Sequence, residues 1–286
     1  MKIGISTDVN AGLDYVKHPY DIKVLRSSVN MEGQVYIDGI DIRADEFYDK
    51  LSKVTKKEDI PSTSAPALGD VYDLFDYYVE NGYTHIIHFP ISFSLSATGS
   101  TVKQVSEEYK DKLNVTVINT KAACYIQGYL AVNAAKMASE GATPEEIIER
   151  TNYLIENRTI YFVVDSLDYL VKNGRLSGAA GVVGNLLKIK PLLQLNDEGK
   201  IVQFEKIKTT KKARQRVVEL VLDFIKNKEN VKVMLFHTLA LEAAEEIKQL
   251  VLENRPDIKD IEIHYITPAV GAHIGCGVAG IAAYVL

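Results

Sequence analysis

The chain has 286 residues, of which 47% are hydrophobic and 25% are charged, and its formal net charge at pH 7 is -5. This is a globular composition with enough length for two domains. The acidic balance argues against a nucleic-acid-binding protein, which needs a concentrated basic face. The apolar runs are too short to cross a bilayer, so we expect no membrane span.

The first residues, MKIGISTD, enter a strand pattern directly and contain no apolar signal region. The two cysteines, Cys124 and Cys276, lie far apart in the sequence, which favours reduced thiols over a disulfide. We therefore expect a cytoplasmic protein.

Polar residues follow or end three predicted strands in the first half of the chain. Strand Lys2–Ser6 precedes Asp8, strand His85–Pro90 precedes a serine-rich turn, and strand Val115–Thr120 ends with Asn119 and a threonine. Helical spacing covers residues 44–54, 71–81, 102–112 and a run from 124 to about 137. This alternation predicts a parallel sheet with a ligand crevice at the carboxyl ends of its strands. Two roles fit Asp8, a ligand-facing carboxylate or the cap of a turn.

A small β excursion interrupts this pattern. Residues Ile22–Ile40 alternate apolar and polar side chains around a turn at 30–33, which predicts a hairpin. The segment Ile60–Pro66 follows, and its two prolines hold Thr63 and Ser64 in an extended backbone. Such a segment can present hydroxyls to a ligand, or it can be a plain connecting loop.

The serine-rich turn reads ISFSLSATGS, with serine or threonine at every second position from Ser92 to Ser100. Hydroxyls and the free N–H groups of a helix start favour an anionic group. The same residues also suit a helix cap and a turn without any ligand. If a ligand binds here, the alternation implies that only one face of the turn contacts it.

Strand Thr159–Val164 opens a second half with a different order of elements, and we place the domains at 1–157 and 158–286. Strands Ile189–Leu195 and Ile201–Ile207 join through a turn at 196–199. Further strands are predicted at 231–236, 261–266 and 279–286, and helices at 167–172, 208–228 and 239–252. The predicted fold class is therefore α/β, with an N-terminal parallel-sheet domain and a C-terminal mixed-sheet domain whose final strand packs near their interface.

His273 lies in a tail segment with glycine at 271, 275 and 277, which predicts a flexible loop. Imidazole pairs well with an anion near neutral pH. A ligand contact and a structural hydrogen bond fit this pattern equally.

Motifs for other functions are absent from the sequence. The first turn has no GxGxxG, and no GxxxxGK[ST], GxSxG or metal-spaced His/Cys cluster occurs anywhere. A serine with His273 lacks an identifiable third catalytic group, and Cys124 fits a buried apolar role better than a nucleophile. The remaining hydroxyls, His273 and Arg175 form a set that can hold an anionic head through charge-assisted hydrogen bonds.

Six motifs, in order along nearly the whole chain, resemble those of the DegV family. They are TSAP (63–66), ISFSLSAT (91–98), VINTK (117–121), LDYLVKNGRLS (167–177), KPLL (190–193) and GAHIGCG (271–277). The resemblance implies a two-domain protein that binds one long-chain fatty acid, such as palmitate, in an apolar tunnel between its domains. It further implies a non-catalytic carrier without a cofactor, which presents the fatty acid to a fatty-acid kinase and carries acyl-phosphate toward phospholipid synthesis.

The resemblance also implies a set of site residues. They are Thr63, Ser64, Ser94, Ser96, Arg175, Gly271 and His273. The hydroxyls at 63 and 64 and the glycine-flanked histidine match the family's carboxylate site, and the serine loop adds a contact from either of its two serines. The arginine matches a residue that faces the kinase or the phosphate.

The first domain also resembles the substrate-binding subunit of dihydroxyacetone kinases. The alternative function is thus an enzyme or kinase subunit that acts on a small carbonyl or hydroxy compound, with His273 as base or covalent anchor. This alternative requires a small polar pocket, whereas a fatty-acid carrier requires a long apolar one.

Overall fold

Two sheets with different strand arrangements organise the computed structural model, which describes residues 1–178 and 190–286. The strands of the first sheet are β1 (Ile3–Asp8), β2 (Ile22–Leu25), β6 (His85–Phe89) and β7 (Asn114–Val117). Their spatial order is β2-β1-β6-β7, and every neighbouring pair is parallel. Parallel neighbours need a crossover connection, which the helices between these strands supply. The predicted N-terminal parallel sheet is confirmed.

The helices of this half are α2 (Leu68–Glu80), α3 (Thr98–Ser106), α4 (Cys124–Ser139) and α5 (Pro144–Glu156). Helix α4 is rich in alanine and small residues, and it is buried on most sides because it lies between the two sheets. Tyr284 of the second half donates a hydrogen bond to Ile126 O of this helix at 2.9 Å. The two sheets therefore share one hydrophobic core.

The predicted β excursion is a separate three-stranded antiparallel sheet. It consists of β3 (Ser28–Met31), β4 (Gln34–Ile37) and β5 (Ser62–Ser64) in the order β4-β3-β5, with helix α1 (Ala44–Leu51) between its last two strands in the chain. The predicted hairpin was too long, because Ile22–Leu25 pairs with β1 in the main sheet. The segment with Thr63 is a paired strand and not a plain loop.

The second sheet has six strands in the order β10-β9-β8-β13-β11-β12, and it is mixed as predicted. The strands are β8 (Arg158–Val163), β9 (Lys190–Leu195), β10 (Ile201–Ile207), β11 (Val231–His237), β12 (Ile261–Tyr265) and β13 (Ala279–Val285). Its helices are α6 (Asp168–Lys172), α7 (Thr210–Phe224) and α8 (Leu241–Asn254). The predicted start of β9 at Ile189 lies outside the described residues. The proposed boundary after residue 157 falls between α5 and β8 and stays a prediction.

A last helix, α9 (Pro268–Ile274), replaces the flexible loop that the glycines predicted around His273. Gly275 ends the helix with a φ of 79°, and Gly277 after it also has a positive φ of 77°. Helix α9 follows β12 of the second sheet in the chain but packs on α1 and the three-stranded sheet. Its Ala269 and Ala272 belong to the hydrophobic core formed there. The loop prediction was wrong, and His273 is held on a regular helical turn.

Candidate functional site

A cavity of about 220 Å³ lies between the two main sheets. One wall comes from residues that follow each strand of the first sheet, namely Asn10 after β1, Ser27 after β2, Ile91 after β6 and Ala123 after β7. The carboxyl ends of parallel strands lie at one edge of the sheet, where ligands of α/β proteins commonly bind. The cavity therefore lies where the polar strand ends predict a crevice.

The opposite wall is one face of the second sheet. Ile160 and Phe162 of β8, Leu195 of β9 and Phe236 of β11 line it. Gly280 of β13 lies between Phe162 and Phe236 in the strand register, and it also lines the cavity. A Cβ atom at this glycine would approach Phe162 Cβ to 2.9 Å. The missing side chain thus leaves a notch between two phenyl rings in the apolar wall.

The polar end of the cavity is built on a hydrogen bond between distant segments. Thr63 Oγ1 on β5 lies 2.7 Å from His273 Nε2 on α9. Ala65 and Ala97 at this end are exposed, whereas Ile91 and Ile126 elsewhere in the lining are buried. This hydrogen-bonded pair therefore lies at the end that meets solvent, and the apolar part is enclosed.

The charge state of His273 follows from its surroundings. Burial, and secondarily the positive charge of Arg175, lower the pKa of His273 to about 4. The imidazole is neutral at pH 7, with one donor and one acceptor nitrogen. Its Nδ1 is buried and has no hydrogen-bond partner among residues 1–178 and 190–286.

Ser96 and Arg175 complete the polar end, and both line the cavity. Ser96 Oγ lies 2.9 Å from Thr98 Oγ1 and accepts a hydrogen bond from Thr98 N at the start of α3. Arg175 Nε donates to Leu95 O at 3.1 Å, and its guanidinium also donates to Asn173 O. These partners are uncharged, and no carboxylate in the described part of the chain forms an ion pair with Arg175. Its positive charge remains available to an anion.

Ser64 lies at the rim and differs in orientation from Thr63. Neighbouring residues of a strand point to opposite faces, so the contact of Thr63 with His273 directs Ser64 away from it. The Ser64 hydroxyl accepts a hydrogen bond from Asn30 Nδ2 at 3.3 Å. Ser64 thus lines the cavity at its rim, and a contact from it to a carboxylate stays a prediction.

Ser94 and its neighbour Ser92 face the other half of the protein and not the cavity. Ser92 Oγ donates to Gly199 O at 2.8 Å, and Ser94 Oγ donates to Glu198 O at 3.1 Å. Both acceptors lie in the turn that joins β9 and β10. Of the alternating serines, only Ser96 therefore lines the cavity. Ser92 and Ser94 bind the β9–β10 turn instead, and we withdraw Ser94 from the candidate site.

Gly271 also lies outside the lining. A Cβ atom there would collide with Tyr48 and Phe47 of α1. Tyr48 donates a hydrogen bond to Ile266 O at 2.8 Å, just before α9. Gly271 is thus needed for the close packing of α9 on α1, and we withdraw it as a ligand contact.

Comparison with known proteins identifies the family of this chain. A family model described as "Uncharacterised protein, DegV family" matches residues 2–286. The chain belongs to the DegV family. A DegV domain-containing protein of Listeria innocua is 35% identical over 281 residues, which cover 98% of this chain and 97% of that protein.

Solved structures of other proteins have the same fold. The fatty acid binding DegV family protein of Streptococcus agalactiae is 31% identical, with a TM-score of 0.90 and 99% of each chain covered. The Streptococcus pneumoniae fatty acid kinase B3 protein, loaded with linoleic acid, is 18% identical, with a TM-score of 0.84 and 100% of each chain covered. At that identity the second likeness concerns the fold alone. The predicted α/β fold of the DegV family is confirmed for the described residues.

Sequence reasoning missed several lining residues of this DegV protein. Asn10 and Ser27 carry polar groups into the cavity. Each lies two residues after the end of a strand, and this position is the sequence signal from which they could have been predicted. Cys124 also lines the cavity, and burial raises the pKa of its thiol to about 12, so it stays protonated at neutral pH.

Asp8 does not line the cavity. Its buried carboxylate accepts hydrogen bonds from Ile91 N, Asn10 and Gln127, and it caps the turn after β1. Of the two roles open for Asp8, the structure supports the cap.

Two further features bear on the class of site. Within the described residues, no group of three or more His, Cys, Asp or Glu side chains has the arrangement of a metal site. In the same part of the chain, no helix is both long and apolar enough to cross a membrane.

Proposed function

We propose that the protein binds one long-chain fatty acid in this cavity, with the carboxylate at the polar end and the acyl chain along the enclosed apolar walls. The observation that carries the proposal is the separation of the lining into two parts. Thr63, Ser96, Arg175 and His273 gather at the solvent-facing end, and aliphatic and aromatic side chains from both sheets form most of the remainder, with Asn10 and Ser27 as polar exceptions. The fatty acid binding DegV protein of Streptococcus agalactiae, with the same fold, supports the ligand class.

The two parts would contribute differently to the binding free energy. Each methylene transferred from water to the apolar walls contributes about 0.8 kcal/mol, so the acyl chain supplies most of the affinity. Charge-assisted hydrogen bonds to the carboxylate contribute about 1.5–3 kcal/mol each. The polar end therefore fixes the direction in which the chain enters.

The neutral imidazole can prepare the Thr63 hydroxyl for a carboxylate. When Nε2 of His273 carries the ring proton, it donates a hydrogen bond to Thr63 Oγ1. The hydroxyl hydrogen of Thr63 is then free to point into the cavity. The carboxylate then accepts from Thr63 and from Ser96, with the charge of Arg175 nearby. The site would hold the anion without any catalytic step on it.

The alternative, an enzyme for a small carbonyl or hydroxy compound, has less support. Such a substrate needs polar partners throughout its pocket, but most of this lining is apolar. His273 on a regular helix, bonded to Thr63, is also poorly placed as a free nucleophile.

We further propose that the bound acid is presented to a fatty-acid kinase, and that its acyl-phosphate is carried toward phospholipid synthesis. The exposed rim at Ser64, Ala65 and Ala97 supports this, because a partner can reach the carboxylate there without unfolding the apolar walls. A cytoplasmic location, where ATP is available, and the two-domain division at 157/158 belong to the same proposal.

Native mass spectrometry tests the binding step. Protein purified from cells, or delipidated protein incubated with palmitate, should carry one additional mass in the fatty-acid range. Dihydroxyacetone serves as the comparison compound, and an adduct with it but not with palmitate would favour the alternative. An unliganded mass after incubation with a series of long-chain acids would contradict the proposal.

A further inference from the structure

Helix α9, which carries His273, is anchored at its other end by a buried carboxylate. Asp38 directly follows β4, and its Oδ2 accepts a hydrogen bond from Ala269 N in the first turn of α9 at 2.7 Å. Asp38 is fully buried. Ala269 and His273 are four residues apart, which places them about 6 Å apart along the helix axis.

The same small sheet contacts both ends of this helix. Asp38 extends from β4 and Thr63 lies on β5, and β3 pairs with both strands. Asp38 contacts the start of α9, and Thr63 contacts His273 in its last turn. The spacing between Asp38 and Thr63 in the sheet therefore sets where the helix, and with it the imidazole, can lie.

The position of Asp38 is itself fixed. Its backbone N donates to Ser27 O at 3.0 Å, and Arg26 donates to Asp38 O at 3.3 Å. The Arg26 guanidinium is paired with Asp14, so these are the charged groups that face Asp38. Ser27 lines the cavity, which links this turn directly to the site.

Packing on α1 and a hydrogen bond from Asn173 Nδ2 to Ala272 O at 3.1 Å hold the body and the end of helix α9, whereas its start depends on fewer contacts. The helix has seven residues, and its N-cap residue Thr267 makes no side-chain capping bond. Isolated helices of this length are unstable without tertiary contacts. In the described part of the chain, Asp38 is the side chain that accepts from the first-turn N–H groups of α9.

We propose that Asp38 is a positioning residue for the carboxylate end of the site, which holds α9 so that His273 Nε2 meets Thr63. This rests on the proposed fatty-acid function, since a misplaced His273 would lower the affinity for the carboxylate of the fatty acid. Asp38 touches no ligand and acts only through the helix.

The test compares binding of palmitate with binding of 1-hexadecanol, which has the same chain length but no carboxylate. Asp38→Ala should weaken palmitate binding about tenfold, the effect of losing one charge-assisted contact, and change hexadecanol binding by less than about twofold. Asp38→Asn keeps an acceptor oxygen for Ala269 N and should bind palmitate nearly as the wild type does. Asp41→Ala is the matched control, because exposed Asp41 bonds Ile37 N in the same turn without touching α9.

A double-mutant cycle and a ligand-free measurement complete the design. Asp38→Ala should add nothing to His273→Ala, because both remove the same contact. In the ligand-free protein, Asp38→Ala should raise the NMR-measured pKa of His273 toward its ordinary value, as the imidazole becomes more exposed. Equal loss of acid and alcohol binding, full additivity with His273→Ala, or an unchanged His273 titration would each overturn the positioning role. Failure of the wild type to bind palmitate would overturn the proposed function instead, and the NMR titration would still decide the role of Asp38.

Discussion

The polar end and the apolar body of the cavity are built in opposite ways. The body uses regular structure, since residues of β8, β9, β11 and β13 in one sheet line it. The polar end joins single residues from four separate segments, through individual hydrogen bonds such as that between Thr63 and His273. The body is therefore sensitive to side-chain volume, and the polar end is sensitive to the loss of one contact. This difference ranks the expected effects of substitutions.

The largest effect should come from filling the notch in the body. Gly280→Val places a branched side chain between Phe162 and Phe236, where even a Cβ atom comes within 2.9 Å of Phe162 Cβ. Displacing about four methylenes costs about 3 kcal/mol, which corresponds to more than a hundredfold loss of affinity for palmitate. A competition assay with acids of decreasing length should show that short acids lose much less.

The control for this substitution is Ala283→Val on the same strand. Ala283 faces the other side of the sheet, in the core formed with α7 and α8, so extra volume there strains the fold without entering the cavity. If both variants weaken palmitate binding equally, loss of stability and not occlusion of the notch explains the result.

A smaller effect is expected from the hydroxyls of the polar end. Thr63→Ala combined with Ser96→Ala removes two hydrogen bonds to the carboxylate. Because this end of the cavity meets solvent, water replaces part of their contribution of about 1.5–3 kcal/mol each, and palmitate binding should weaken about tenfold to a hundredfold. Isothermal titration with delipidated protein measures this. Ser94→Ala is the matched control, because its hydroxyl bonds Glu198 O, and it should leave the affinity unchanged. An affinity loss in Ser94→Ala as large as in the double variant would restore Ser94 to the site.

The same contrast explains what the sequence could predict. Strand alternation and polar strand ends are local patterns, so they predicted the parallel sheet, the β9–β10 hairpin and the crevice. Ser94 differs in role from Ser96 because it bonds to a hairpin about a hundred residues away in the sequence. The acceptor there is the backbone carbonyl of Glu198, a group that any residue provides. Asp38 escaped notice for the same reason, since its partner is the backbone N–H of Ala269. Contacts of a side chain with distant backbone leave no residue pattern to recognise.

The smallest effect should be a pH dependence of the polar end. Without ligand, the pKa of His273 is lowered to about 4 by burial and by Arg175, so the ring is neutral at pH 7. A bound carboxylate stabilises the imidazolium and raises this pKa, so binding is coupled to proton uptake in the window between the two pKa values. Affinity for palmitate should therefore rise as the pH falls from about 7 to about 5, by less than about tenfold.

A pH series of titrations measures this linkage, and His273→Gln provides the control because glutamine keeps a hydrogen-bond donor for Thr63 but does not titrate in this range. The slope should disappear in that variant while the affinity at pH 7 stays close to that of the wild type. The same slope in both proteins would assign the linkage to another group, either the fatty acid or Asp38, whose pKa burial raises to about 7. A strong loss of affinity at pH 7 in His273→Gln would instead show that the polar end depends on the imidazole shape as well as on its charge, and that it is as sensitive to volume as the apolar body.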